Sequence, residues 1–325
     1  MPPLIEARAL RIEFGGGLGG GPRRRALDGV SLAVPEDVAT TTALVGESGS
    51  GKTTLARALL GLVAPRAGDV AYRGVDLGAM TRDRKRAYRR EVQAIFQDPF
   101  DVYNPFYRVD RALQAPLRAF GLAGSRDEAA ARIEAALETV GLRPGETLGR
   151  YPHQLSGGQR QRVMIARALL LAPRLILADE PVSMVDASLR ATILETLHRL
   201  KTDRGIALVY VTHDLATAYQ IADRVVVLYA GRIVEAGPAE AVIKAPRHPY
   251  TSALIAAIPE PDPLKPWGIE AASAAPSTAI ATGTGGCAYA ARCPYAMPQC
   301  RAAVPALTTG TDHSVACFRH DEAAR

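Results

Sequence analysis

Over residues 1 to about 250, short unbroken apolar runs alternate with longer stretches of helical spacing. Four runs stand out: Thr42–Val45, Leu175–Ala178, Ile206–Val211 and Val225–Tyr229. Such runs predict strands buried on both faces, as in a parallel sheet covered by helices. Each ends at a chemically marked position. The first enters a glycine-rich turn, the second meets Asp179, the third meets Thr212-His213, and the fourth meets the turn Ala230-Gly231. Between residues 110 and 172 the pattern is mostly helical. Ala129 to Val140 places Ile133, Leu137 and Val140 on one face, at spacings of four and three. That block interrupts the strands. The pattern predicts an α/β domain over residues 1–258 with a helical subdomain at about 108–172.

Two further zones follow. Residues 259–286 are rich in Pro, Ala, Ser, Thr and Gly, and no charge occurs from Ala271 to Gly286. This composition predicts a linker. Residues 287–325 hold all four cysteines and form a small Cys-rich extension. Gly15 to Gly21, with Leu18 as its one sizeable side chain, reads as a flexible loop.

The 325 residues suffice for about two domains. Hydrophobic residues at 48% and charged residues at 22% exclude a wholly disordered chain and a small disulfide scaffold. The net charge of +6 fits an arginine-rich solvated surface, or contact with anionic headgroups or an acidic partner. No apolar run reaches 18 residues, and Met1 to Arg11 carries Glu6, Arg8 and Arg11. Neither a membrane-spanning helix nor a secretory signal is expected. The expected setting is cytosolic, or peripheral on the cytosolic side of a membrane.

The glycine-rich turn carries the first chemistry. Gly46-Glu47-Ser48-Gly49-Ser50-Gly51-Lys52-Thr53 fits G-x-x-x-x-G-K-[ST], after a predicted strand and before a helix with Leu55, Ala58, Leu59 and Leu62 on one face. Glycines let backbone N–H groups curl around phosphate oxygens, and the helix N-terminus adds a favourable dipole. Lys52 is expected on the β and γ phosphates, Thr53 on Mg²⁺, and Thr54 beside them in the nucleotide site. Asp179 and Glu180 close the second strand. Asp179 is suited to hold Mg²⁺ through water, and Glu180 to orient or deprotonate the attacking water.

Leu155-Ser156-Gly157-Gly158-Gln159 opens a helix with a hydroxyl and two glycines, a second anion site in one chain. The sequence LSGGQ resembles the signature of the ABC-transporter ATPases. The resemblance implies a P-loop NTPase fold of the ABC ATPase type with an inserted helical subdomain. It implies two subunits sandwiching two ATP molecules head to tail, each signature closing over the other subunit's phosphate loop. Other positions match in order. Gln97 matches the glutamine that senses Mg²⁺ and the attacking water. Ser183 and Asp186 match the loop that crosses the dimer interface, although Met184-Val185 stands where Ala-Leu is commoner. His213 matches the γ-phosphate histidine, and Phe14 the aromatic that stacks on adenine.

The resemblance narrows further. Phe96-Gln-Asp-Pro-Phe with Asn104-Pro105, Tyr151-Pro152-His153, and His248-Pro-Tyr-Thr-Ser-Ala-Leu with Ile258-Pro259 are similar to oligopeptide/dipeptide-type importer ATPases. One departure is Pro35 to Thr42, which lacks the Pro-Gly-Glu turn of many relatives. The implied function is ATP hydrolysis driving uptake of di- or oligopeptides. Relatives of this subfamily also move nickel and oligosaccharides. The implied partners are a second ATPase subunit (a paralogue or an identical copy), two membrane permeases and an extracytoplasmic solute-binding protein. The implied location is peripheral, on the cytoplasmic face of the cell (inner) membrane. A soluble ABC protein acting on nucleic acid or ribosomes is the rival reading. One phosphate loop, one signature and no sustained heptads argue against it, and no nucleic acid is expected.

Cys287, Cys293, Cys300 and Cys317 are spaced C-x5-C-x6-C-x16-C, without the short pair that zinc sites favour. Cys293-Pro294 resembles some iron–sulfur ligands. Spacing alone leaves zinc, a [4Fe–4S] cluster and buried thiols open. The family resemblance implies the cluster, with Zn²⁺ as the alternative. A tail sensing iron or redox state is compatible with transport.

Overall fold

Thr41–Val45 is wholly buried, as a strand packed on both faces must be. The computed structural model of the chain describes residues 1–15, 23–98, 103–258, 285–308 and 312–320. Most of the glycine loop and nearly all of the linker lie outside the described residues.

The strands are β1 (Ile5–Phe14), β2 (Arg24–Val34), β3 (Thr41–Val45), β4 (Ala67–Tyr72), β5 (Val75–Asp76), β6 (Val92–Ile95), β7 (Leu175–Asp179), β8 (Ala207–Val211), β9 (Arg224–Tyr229), β10 (Arg232–Pro238) and β11 (Ser314–Val315). The helices are α1 (Lys52–Leu59), α2 (Arg82–Glu91), α3 (Val109–Phe120), α4 (Arg126–Thr139), α5 (Pro144–Thr147), α6 (Gly157–Leu169), α7 (Ala187–Arg204), α8 (Leu215–Ile221), α9 (Ala239–Lys244), α10 (Pro249–Ala256) and α11 (Pro298–Ala302).

The chain forms two compact units. One comprises Met1–Pro2, Pro35–Thr40 and Val75–Tyr210. In it β6 runs parallel to β7, with Val92 opposite Leu175 and Ile95 opposite Ala178, and β8 lies on the far side of β7. Helices α3 and α4 pack on α6 through the buried side chains of Leu113, Leu117, Ile133, Leu137 and Val163. The face expected from Ala129 to Val140 is therefore the one that is buried.

The other unit comprises Pro3–Val34, Thr41–Gly74 and Val211–Arg325. Its first sheet is antiparallel, in the order β2-β1-β4. Its second has the order β11-β10-β9-β3, with β3 and β9 parallel and the rest antiparallel. Helix α1 buries Leu55, Ala58 and Leu59 as expected. Leu62 does not join them and is 62% exposed. The helix stops at Leu59, and Gly61 turns the chain at φ 67, so the helical spacing no longer applies. No helix among the described residues is long and apolar enough to cross a membrane.

Candidate functional site

The phosphate-loop sequence leaves the end of β3 through glycines in left-handed conformations, two of them with no room for a Cβ. At Gly46, with φ 148, a Cβ would lie 2.2 Å from the Leu228 carbonyl oxygen. At Gly51, with φ 108, it would lie 2.7 Å from the Ala26 carbonyl oxygen. Gly49 is also left-handed, at φ 78. Gly51 is the N-cap of α1 and, having no side chain, supplies no side-chain cap to the first turn. The Lys52 ammonium donates to the carbonyl oxygens of Gly46 at 2.8 Å and Glu47 at 2.9 Å. Thr53 and Thr54 are half-buried in the first turn. The Ser50 hydroxyl is buried and finds no partner among the described residues, which suits a loop built to receive ligand oxygens.

Phe14 and His213 belong to the same unit. Phe14 is the last residue of β1 and is 48% exposed, so it is not a core aromatic. His213 follows β8 and is exposed. The turn beneath it is fixed on both sides. Thr212 Oγ1 accepts the Asp214 N–H at 3.0 Å, and Asp214 Oδ1 caps α8 by accepting the N–H groups of Ala216 and Thr217.

The other unit gathers the acidic strand end. Asp179 is the last residue of β7. Glu180 follows at φ 44, a left-handed conformation that costs a residue with a Cβ about 1 kcal/mol or more. The turn is held by Ser183, whose N–H and hydroxyl both donate to the Glu180 carbonyl oxygen, at 3.2 and 2.9 Å. Gln97 Nε2 donates to Glu180 Oε2 at 3.0 Å. The structure thus brings Gln97 and Glu180 together across 83 positions of sequence.

The signature opens α6 with a reciprocal cap. Ser156 Oγ accepts the Gln159 N–H at 3.2 Å, and Gln159 Oε1 accepts the Ser156 N–H at 2.9 Å. Leu155 is buried. A Cβ on Gly158 would lie 2.6 Å from Leu189 Cδ1, and one on Gly157 3.3 Å from the Met184 carbonyl oxygen. The glycine pair therefore lets α6 begin hard against residues 184–189. Asp186 stands at the N-cap of α7 without a side-chain bond to its amides.

Cys287, Cys293, Cys300 and Cys317 are all free thiols and line one cavity with Tyr289, Tyr295 and Phe318. Burial raises the thiols of Cys287 and Cys317. Among the described residues no group of three or more Cys, His, Asp or Glu side chains is set to hold a metal ion. The expected metal quartet is met only as a shared cavity.

Sequence reasoning passed over two residues at the phosphate loop. Tyr250 and Arg292 both bind Glu47, from 203 and 245 positions away. The available signal was an arginine beside Cys293 in an otherwise alanine-rich stretch.

A family model described as ABC transporter matches residues 27–183. A second, described as the oligopeptide/dipeptide transporter C-terminal region, matches residues 234–300. The chain is 42% identical over 299 residues to the oligopeptide transport ATP-binding protein OppF of Escherichia coli K12, covering 91% of this chain and 88% of that one. It is 41% identical over 300 residues to the di/tripeptide transport ATP-binding protein DppF of Pseudomonas aeruginosa, covering 92% and 91%. Among solved structures, a dimeric post-hydrolysis state of the ATP-binding cassette MJ0796 bound to ADP and Pi is similar at a TM-score of 0.65 and 28% identity. That likeness covers 72% of this chain and 98% of the cassette. The chain belongs to the ABC transporter family and is one of the ATP-hydrolysing subunits of its oligopeptide/dipeptide branch.

Proposed function

We propose that this chain is the motor of a peptide importer, working on a solute that never touches it. Mg²⁺ and ATP bind on Gly46 to Thr54, with Lys52 on the phosphates, Thr53, Gln97 and Asp179 around the metal, and Phe14 on the adenine. Glu180 is the base toward the attacking water, and His213 contacts the γ-phosphate. A second ATPase subunit lays its Leu155–Gln159 signature over this nucleotide, and the loop with Ser183 and Asp186 crosses the interface. The dimeric state of the MJ0796 cassette supports this reading. Two permeases dock around residues 98–109, of which 99–102 lie outside the described residues. An extracytoplasmic binding protein delivers the peptide, and the ATPase sits on the cytoplasmic face of the membrane. Closure over ATP and reopening after hydrolysis store the energy as differential binding between two states.

The observation that carries the proposal is the Gln97 amide held 3.0 Å from the Glu180 carboxylate at a strained strand end. A glutamate kept there at a conformational cost is suited to a reacting water. Glu180→Gln is expected to bind ATP, to hydrolyse it at least about a hundredfold more slowly, and to accumulate closed dimers. Hydrolysis at the parental rate would remove Glu180 from its role.

The four cysteines are read as ligands of a [4Fe–4S] cluster. The donor set supports this, since four thiols share one cavity and none is in a disulfide. Zn²⁺ is the alternative occupant of the same four thiols. When bound, the cluster would cross-link the extension and release thiol protons. Iron and acid-labile sulfide in protein purified without oxygen are the expected result. Neither iron nor zinc in a well-folded preparation would end the metal reading.

A further inference from the structure

The phosphate loop is gripped by residues far along the chain but in its own compact unit. Glu47, the second residue of the loop, is held twice from outside the loop. Its backbone N–H donates to the Tyr250 hydroxyl at 2.7 Å. Its carboxylate takes a two-pronged pair from Arg292, with Nη1 to Oε2 at 3.0 Å and Nη2 to Oε1 at 2.9 Å. This fork geometry is the strong form of the arginine–carboxylate pair.

Arg292 is itself supported from below. Its guanidinium lies 5.6 Å from the Tyr289 ring centre and 6.0 Å from that of Tyr229. The rings of Tyr229, Tyr250 and Tyr289 pack together at centre distances of 4.5 to 5.4 Å. Tyr250 is 1% exposed, so its hydroxyl is fixed in place. Tyr289 also lines the cysteine cavity, and Arg292 directly precedes Cys293. The same aromatic cluster thus supports the loop and borders the thiols.

We propose that Arg292 and Tyr250 are positioning residues for ATP, holding Glu47 so that the remaining amides of the loop stay aimed at the phosphates. Arg292 has a second effect. It neutralises a carboxylate that belongs to a loop meant for a polyanion. Without it, Glu47 repels the ligand and the loop must be ordered at the expense of binding. The proposal rests on the reading of Gly46 to Thr54 as the ATP cradle.

The test measures the dissociation constant of Mg·ATP, KM and kcat on the full chain, with the thermal midpoint as a folding control. Arg292→Gln is expected to weaken ATP binding and raise KM by about three- to tenfold, with kcat at saturation within about twofold. Tyr250→Phe keeps the ring, loses the hydroxyl, and is expected to weaken binding about threefold. The double variant Glu47→Gln/Arg292→Gln, in which no carboxylate is left uncompensated, is expected to regain at least half of the lost affinity on a logarithmic scale. Should Arg292→Gln melt early, Arg292→Lys and the double variant carry the test, each expected to bind between Arg292→Gln and parental protein. Parental affinity in Arg292→Gln and Tyr250→Phe overturns the proposal. So does a double variant as weak as Arg292→Gln, because Arg292 would then not act through Glu47. Lys52→Ala separates the two readings. If it binds ATP as the parental chain does, the cradle reading fails. If it loses ATP while Arg292→Gln does not, the positioning proposal alone fails.

Discussion

Three helix starts in this chain, those of α1, α6 and α10, are each finished differently. Helix α1 starts at a glycine with no side-chain cap, and its lysine lies folded onto loop carbonyls. Helix α6 starts at a serine whose cap is returned by Gln159. Helix α10 starts at His248, whose Nδ1 accepts the Tyr250 N–H at 3.0 Å. All three carry the same partial positive charge at their N-terminus. The difference lies in how much of it is already spoken for. An uncapped start invites a ligand, a self-capped start is stable alone, and an imidazole cap adds dependence on protonation.

The largest effect that would break this comparison belongs to the uncapped start. Gly51→Ala places a Cβ 2.7 Å from the Ala26 carbonyl oxygen at φ 108. The expected cost is about 3 kcal/mol, roughly a hundredfold in ATP affinity. Calorimetric titration with Mg·ATP measures it, and unchanged affinity would mean the loop does not need its present shape.

The next effect belongs to the imidazole cap. Burial pushes the His248 pKa down to about 4; the Glu235 carboxylate opposes this and His320 adds to it. The folded pKa lies below the ordinary value of 6.5, so the unfolded chain binds the extra proton first. This contribution to stability is complete above pH 6.5 and is lost as pH falls toward 4. It amounts to roughly 3 kcal/mol across that window. Thermal midpoints measured from pH 7 to pH 4 should fall, and His248→Asn, which keeps an acceptor and does not titrate, should flatten the slope. An equal slope in both proteins would place the acid sensitivity elsewhere.

The smallest effect sharpens the contrast between α1 and α6. Ser156→Ala removes the self-made cap and should cost about 1 kcal/mol of stability. ATP affinity of the isolated chain should stay within about twofold, while dimer formation on ATP weakens. Loss of ATP binding by the single subunit would show that the signature acts on its own chain's nucleotide.

The parts legible in the sequence are those whose chemistry is contiguous. The strand into Gly46 and the Ser156-to-Gln159 cap depend on neighbours within a few residues. Periodicity and spacing express such neighbours directly. The strand ending at Asp179 is legible for the same reason, but the left-handed turn at Glu180 is not. Glutamate carries no local preference for φ 44, so nothing at this position announces the turn. Leu62 shows the opposite error. Its spacing continues the helical face, but a left-handed Gly61 ends the helix first. The grip of Arg292 on Glu47 spans 245 positions, and no local pattern encodes a pair at that distance.

A two-residue pairing at the sheet edge has a consequence for any shortened form. Strand β11 is two residues long, yet it lies along β10, with Val315 opposite Glu235 and Ser314 opposite Ala236. Next to it, the Ala316 N–H donates to the Val234 carbonyl oxygen, and His313 Nε2 lies 2.7 Å from the fully buried Glu235. A chain cut after residue 258 would strip this cover. It would leave β10 as an open sheet edge beside a buried carboxylate that has lost a partner. Open edges recruit strands from other molecules. The small extension at the end of the chain therefore also guards solubility, and such a cut form should precipitate where the full chain stays dispersed.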